Sequence, residues 1–282
     1  MAHIKDLVDD IYGLFETGAL ITDEQAEALG KAMAFTIKDQ LKAHRTPRSG
    51  EYLRVSNLGK PLRQTWYSLK GYKREPINAP TKIKFIYGHI LEDMLLHMAE
   101  WAGHTVTHKQ HEIDIDGVKG HMDAVIDGAV VDVKSAAPRS FEKKFKQEGL
   151  TTDDPYGYIT QISSYSEALG KDEGHFLAIN KDSGELKLLT IDEMEFEDPH
   201  EKIKEHREAL AKDTPPAKCY GDPVPFGKSG NLQVPTGCKW CDFKANCYPD
   251  ARVFDYSYGP VWLTQVNNEP RVEEITDDTL DT

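Results

Sequence analysis

The sequence predicts an α/β or α+β core, and two observations carry that prediction. Residues 81–102 read as a strong amphipathic helix, with Ile86, Ile90, Met94, Leu95 and Met98 as its apolar stripe and Gly103 as its stop. After it the hydrophobic period changes from 3.6 to 2 through three strands, 105–115, 120–126 and 129–136. A helix over 155–169, ended by Gly170, and a second hairpin, 175–180 with 185–191, complete a helix, strand, helix, strand order.

The remaining elements follow in chain order. Residues 2–44 read as helical, with Thr22-Asp23 as an N-cap before a segment in which Ala28, Leu29, Met33 and Ile37 recur at helical spacing. Residues 45–80 are irregular, basic and dotted with Tyr52, Trp66, Tyr67 and Tyr72. A helix over 199–212 leads through Pro215-Pro216 into a cysteine segment. The expected division is a helical region 1–45, a core 46–198, a helix and cysteine segment 199–260, and an acidic tail 261–282, whose low hydrophobicity favours disorder.

Composition narrows the classes. With 282 residues, 39% hydrophobic and 29% charged, the chain is long enough to bury a full core, which excludes collagen-like, mucin-like and wholly disordered proteins. No run approaches the roughly 20 apolar residues of a membrane span. The N-terminus lacks the basic-then-apolar order of a signal peptide, so a cytoplasmic protein without membrane association is expected. The net charge of −13 is unevenly spread: residues 38–84 hold twelve Lys or Arg against three acids. A polyanion partner is therefore compatible with an acidic chain.

The segment 120–136, GHMDAVIDGAVVDVKSA, carries the chemistry. Asp127-Gly128 suits a two-residue type I′ turn, which needs positive φ at both positions. That turn pairs Ile126 with Ala129, so Asp123 faces Asp132 and His121 faces Lys134. With a period of two, these four share one side of the sheet. Met122, Ala124, Ile126, Ala129, Val131 and Val133 fall on the other, an apolar face. Two carboxylates with Cβ atoms roughly 5 Å apart repel. A hard cation such as Mg²⁺ or Mn²⁺ relieves the conflict, and Lys134 points at the same spot, where it would steer a water and balance phosphate charge. Glu92, on the helix face of His89, would add a third acidic ligand, with Asp93 a weaker competitor. An ordinary cross-strand Asp, Lys and His network is the alternative.

In this order the residues resemble the motif set of PD-(D/E)XK nucleases, in their RecB-like and phage exonuclease branch. Asp123 with Asp132-Val133-Lys134 matches the central motif. Gly88-His89 and Glu92 match the preceding helix, and Gln161 with Tyr165 matches Gln-x-x-x-Tyr on the following one. The resemblance covers about residues 56–250. It implies a restriction-endonuclease-like core, a mixed central sheet flanked by helices, with a helical N-terminal region and a C-terminal Cys-rich segment. It also implies Asp123, Asp132 and Glu92 as metal ligands, joined by the Val133 carbonyl and His89. Lys134 would position the nucleophilic water, while Gln161 and Tyr165 border metal and DNA. His121 lies outside the motif and is kept as a phosphate contact.

All four cysteines fall between 219 and 247, which favours a metal or cluster site over disulfides. Cys238, Cys241 and Cys247 give CxxCx₅C, with Cys219 upstream. The same family implies a [4Fe–4S] cluster here. Its first cysteine, however, normally precedes the motif-bearing helix, near 56–63, where this chain has none. Cys219 as the replacement ligand, Zn²⁺ in place of the cluster, and an empty remnant are the three alternatives.

For the substrate, Arg54 and Arg63 are the leading phosphate contacts, and the aromatics of the basic stretch suit stacking on bases. Lys143 and Lys144, directly after the motif strand, would line a DNA path, while Phe141 and Phe145 serve equally well as core anchors. The implied function is metal-dependent DNA exonuclease activity in recombination, repair or replication, with proteins of those processes as partners. A catalytically silent nucleic-acid-binding scaffold, or an interaction protein recruiting through its acidic tail, are the competing classes.

Overall fold

The computed structural model describes residues 2–43, 52–147 and 149–276. The parts of the basic stretch at 44–51 and of the acidic tail at 277–282 lie outside them. Contacts divide the chain into two units, one of residues 1–60 and 77–205, the other of residues 61–76 and 206–282. This partition takes 61–76 out of the sequential core and joins it to the cysteine segment.

The N-terminal helical region comprises α1 (Leu7–Glu16) and α2 (Asp23–Ala43), the second starting at the expected N-cap. Gly18, at φ +66°, interrupts them. Thr22 then caps α2, its Oγ accepting from Gln25 N–H while Gln25 Oε1 accepts from Thr22 N–H, a reciprocal capping box. Two short helices follow, α3 (Val55–Leu58) and α4 (Leu62–Leu69), then the long α5 (Ala79–Trp101), capped by Asn78. The fully buried line of α5 is Leu91, Leu95, Leu96 and Ala99, whereas Ile86 and Ile90 are half-buried.

The strands depart from the expected three. The stretch 105–115 splits into β1 (Val106–Thr107) and β2 (His111–Ile115), because His108 and Gln110 take positive φ. The stretch 120–126 splits at Asp123 into β3 (Val118–Met122) and β4 (Ala124–Ile126), and β5 (Ala129–Ala136) follows. Asp127 and Gly128 have φ of 51° and 84°, as the type I′ turn requires, and Ala124 pairs with Val131 and Ile126 with Ala129. A second Asp-Gly turn, Asp116-Gly117, joins β2 to β3 in a separate two-stranded sheet.

After β5 come α6 (Pro138–Ser140), a π-helical turn Phe141–Lys146, α7 (Tyr158–Ala168), β6 (Glu173–Asn180), β7 (Leu186–Asp192) and α8 (Pro199–Leu210). Helix α7 starts at Tyr158 because Gly157 is left-handed, and the Asp154 carboxylate accepts Ile159 N–H. The main sheet runs β1-β4-β5-β6-β7, with β5 and β6 parallel and the other pairs antiparallel.

This mixed sheet has a helical layer on each face. Ala124, Ile126, Val131, Val133, Leu177 and Ile179 pack on α1 and α5, while Val125, Val130, Phe176 and Leu189 pack on α3, α7 and the π turn. Met122 belongs to this second cluster, on the side opposite to that expected, because β3 leaves the main sheet. The sheet face that carries Asp123 and Asp132 is therefore apolar near the turn and polar only where β4 stops. Phe141 and Phe145 are core anchors, each about 1% exposed.

The second unit contains β8 (Val224–Pro225), β9 (Leu232–Gln233), α9 (Lys244–Cys247), β10 (Arg252–Tyr256), β11 (Gly259–Gln265) and β12 (Glu274–Ile275). Its sheet has the order β12-β10-β11-β9-β8. The expected tail begins inside β11 and includes β12: Val261 and Leu263 join Phe254 in a small core, and Glu269 and Glu274 clamp Arg252. Among the described residues no helix is long and apolar enough to cross a membrane.

Candidate active site

The break at Asp123 makes the site. Register alone would place Met122 opposite Val133, yet Met122 pairs with His111 in the other sheet. The freed Val133 N–H donates instead to Asp123 Oδ2 at 2.8 Å. Gly120 lets β3 turn away, since a Cβ there would meet Val55 and Tyr165 side chains at 2.7–3.1 Å. Asp123, Asp132 and Lys134 are left together at the open edge of β5, with Lys134 Nζ 2.5 Å from Asp132 Oδ2. His121 does not face Lys134. It pairs with Glu112, and its half-exposed ring lies 3.7 Å from that carboxylate.

Burial sets the electrostatics. Asp132 is 1% exposed; its Oδ2 is paired with the Lys134 ammonium, while Oδ1 has no hydrogen-bond donor. Burial, then the Asp132 and Glu92 charges, push the Asp123 carboxyl well above its usual range. Burial also raises Asp132, against the pull of Lys134. For Lys134 burial acts downward, but Asp132 and Asp123 outweigh it and hold the ammonium protonated beyond its ordinary range.

Helix α7 anchors the lysine. Gln161 Oε1 accepts from Lys134 Nζ at 3.4 Å, Gln161 Nε2 donates to Tyr165 Oη at 2.9 Å, and Tyr165 Oη donates to the His121 carbonyl at 2.7 Å. The Gln-x-x-x-Tyr spacing thus ties β5 to β3 through one helix face. Tyr158 was not expected here. Its ring centre lies 4.7 Å from Lys134 Nζ, a cation–π contact, and its i, i+3, i+7 relation to Gln161 and Tyr165 is the signal that would have found it.

From α5, Glu92 and His89 form a pair at 3.5 Å that raises the His89 pKa. Glu92 also accepts from Gln110 Nε2 at 2.6 Å. Asp93 points elsewhere, accepting from Thr36 Oγ1. Among the described residues, no three His, Cys, Asp or Glu side chains form a ready metal cage. Mg²⁺ needs none: it is commonly held by one or two carboxylates with waters and substrate phosphate. Asp132, with its Oδ1 free of any donor, and the neighbouring Asp123 fit that requirement, and Lys134 supplies the positive charge beside Oδ2.

The expected DNA contacts scatter. Lys143 is exposed, but Lys144 is tied to the Asp153 carbonyl at 2.5 Å and pairs with its carboxylate. The Arg54 guanidinium lies over the Tyr52 ring at 4.6 Å. Arg63, in the second unit, is no free phosphate contact: it donates to Cys247 Sγ, the Pro216 carbonyl and Tyr67 Oη. Trp66 and Tyr67, expected to stack on bases, form a buried cluster with Phe243. They are spent on packing because the unit that receives them is assembled from distant chain segments.

The four cysteines line one cleft of the second unit, beside Arg63, Tyr67, Phe243 and Tyr248. Cys219 accepts from the backbone amides of Gln64 and Arg63, next to the segment where the family's first cysteine was expected. Cys247 Sγ accepts from Arg63 Nε at 3.3 Å, and Cys241 Sγ from Phe243 N–H at 3.4 Å. Burial raises the Cys219 and Cys238 thiols and pushes Cys241 up to about 11.

No protein-family model matches the chain, and no curated protein matches it in sequence. Several solved structures are similar to it, among them the following three. A protein designated SSO0001 is 18% identical with a TM-score of 0.39, covering 76% of this chain and 95% of its own. A phage related exonuclease from Haemophilus somnus 129PT is 14% identical with a TM-score of 0.39, over 58% of this chain and 92% of its own. An alkaline exonuclease from Laribacter hongkongensis is 19% identical with a TM-score of 0.39, over 62% of this chain and 91% of its own. Similarity at this level assigns no family, and the functional reading rests on the residues of the site.

Proposed function

We propose that this protein is a metal-dependent nuclease that hydrolyses phosphodiester bonds of DNA, acting as an exonuclease in recombination, repair or replication. One observation carries the reading: Asp123, Asp132 and Lys134 meet at a strand edge, buried, with Asp132 Oδ1 lacking a hydrogen-bond donor and Oδ2 held only by the Lys134 ammonium. That is an energetically poor arrangement for structure alone, since a buried carboxylate oxygen without a donor is costly.

Asp123 and Asp132 would hold Mg²⁺ or Mn²⁺, with Glu92 behind them and His89 at the rim. When bound, the ion supplies a Lewis acid and a water of lowered pKa. Val133 N–H orients Asp123, and the Gln161–Tyr165 relay orients Lys134. Lys134 stays protonated, which suits it to balance charge on the attacked phosphate and to place the water, not to abstract a proton.

The cysteine cleft is read as a structural [4Fe–4S] site with Cys219, Cys238, Cys241 and Cys247 as ligands. Tetrahedral Zn²⁺ held by the same four thiolates is the alternative. Thiols spread around a cleft and receiving N–H donors suit a larger cluster.

The test is incubation of labelled single- and double-stranded DNA with the purified protein in Mg²⁺, Mn²⁺ or EDTA, beside Asp132→Ala. Metal-dependent cleavage lost in the variant supports the reading. Intact DNA under every ion, with wild-type protein, removes it.

A further inference from the structure

The start of α7 carries an aromatic pair whose outer ring, Tyr156, the proposed hydrolysis does not use. Tyr158 lies over Lys134, and Tyr156 stacks on Tyr158 with ring centres 5.4 Å apart and planes 29° apart. Tyr156 is nevertheless 51% exposed. What sets Tyr156 apart from the other exposed tyrosines is its place: one cation–ring contact, Lys134 to Tyr158, and one ring-to-ring step, Tyr158 to Tyr156, lead outward from the lysine to this surface.

The loop is also rigid, so the ring is held in advance. Gly157 has φ +74°, and a Cβ on it would meet the Gly59 Cα at 2.4 Å; a Cβ on Gly59 would meet the Gly157 Cα at the same distance. Pro155 restricts the backbone before Tyr156. Asp154 caps α7 through Ile159 N–H at 2.7 Å. The neighbouring acid, Asp153, pairs with Lys144 at 3.6 Å, and Lys144 Nζ lies 5.7 Å from the Tyr156 ring centre, so the acid beside the ring is balanced by a cation.

We propose that Tyr156 is a stacking platform for an unpaired nucleobase beside the scissile phosphate, and that the site therefore takes single-stranded nucleic acid. The proposal rests on the nuclease reading for the position of that phosphate. An exposed, immobilised aromatic ring is the group that binds base faces without sequence readout. Immobilisation in the free protein removes part of the ordering cost of binding.

The test is binding, by fluorescence anisotropy in Ca²⁺, of labelled single strands in which one abasic nucleotide is moved inward from the end. Proteins compared are wild type, Tyr156→Ala and Tyr156→Phe, with melting temperatures as the control for folding. Tyr156→Ala should weaken binding of the intact strand roughly 5- to 150-fold, the range of base–aromatic stacking. Tyr156→Phe should restore it. One abasic position should weaken wild-type binding by a similar factor and leave Tyr156→Ala unaffected. The proposal is overturned if Tyr156→Ala binds every strand as wild type does, if its loss is equal for intact and abasic strands, or if wild type binds no single strand. Cleavage by wild type in Mg²⁺ is scored separately. Base-dependent binding through Tyr156 without cleavage would remove the nuclease and keep the platform, and cleavage without it would do the reverse.

Discussion

Asp123 Oδ2 accepts the Val133 amide proton at 2.8 Å, in the place of the ladder partner that Met122 withdraws. One carboxylate thus repairs the backbone where β4 ends and turns its remaining acceptor capacity toward Asp132. The same carboxylate is buried and raised in pKa, so its charge is tolerated only beside a cation.

Asp123→Asn and Asp132→Asn should each lower metal-dependent cleavage by at least ~100-fold, the scale of losing one electrostatic partner of a transition state. Asparagine keeps an acceptor for Val133 N–H, so loss of activity should come without loss of fold. Steady-state cleavage rates beside circular dichroism check this.

Metal-free stability should fall as pH rises. Asp123 binds its proton more tightly folded than unfolded, so the folded state is favoured below the unfolded value near 3.8 and loses that advantage as pH rises through the higher folded value. Asp132 acts in the same direction. In EDTA, Asp123→Asn should therefore melt above wild type at pH 7, by roughly 2–4 °C for each ~1 kcal/mol relieved, and the difference should vanish near pH 4. Mg²⁺ should raise wild type more than the variant. Thermal melts at both pH values decide it.

Tyr158→Leu should slow cleavage about 3- to 30-fold through loss of the contact that holds Lys134, while Tyr158→Phe keeps the aromatic face and most of the rate. An equal loss in both variants would assign the effect to the hydroxyl and not the ring.

Gly59→Ala should lower stability by ~1–3 kcal/mol, because the new methyl meets the Gly157 backbone at 2.4 Å, which cannot swing aside as the Thr160 hydroxyl at 2.6 Å could. Chemical denaturation measures this, and a change below ~0.5 kcal/mol would show that the α3–α7 approach is looser than described.

Cys219→Ser should release the metal of the cysteine site and lower the melting temperature of the protein. Iron and zinc analysis with a visible absorption spectrum, on anaerobically purified protein, separates cluster from zinc. Full retention of iron in Cys219→Ser would exclude this cysteine as a ligand.

What the sequence determined by itself was local. Asp127-Gly128 dictates a two-residue turn, the turn dictates a register, and the register brings Asp123 beside Asp132 with Lys134 two residues on. The capping of α2 by Thr22, the extent of β5 and the shared face of Gln161 and Tyr165 are legible for the same reason: each depends on neighbours within one turn or one pleat.

Tertiary structure decided what distant groups do to one another. Whether β3 continued into β4 depended on β2, Val55 and Tyr165, none of which periodicity within 120–126 can register. Arg63, Trp66 and Tyr67 sit in a basic stretch suited to nucleic acid, yet their partners are Cys247, Lys212 and Phe243, more than 140 residues away. The aromatic pair beside Lys134 came instead from Tyr156 and Tyr158. A charge or a ring is available to a ligand only if no buried partner claims it first, and long-range packing settles that competition.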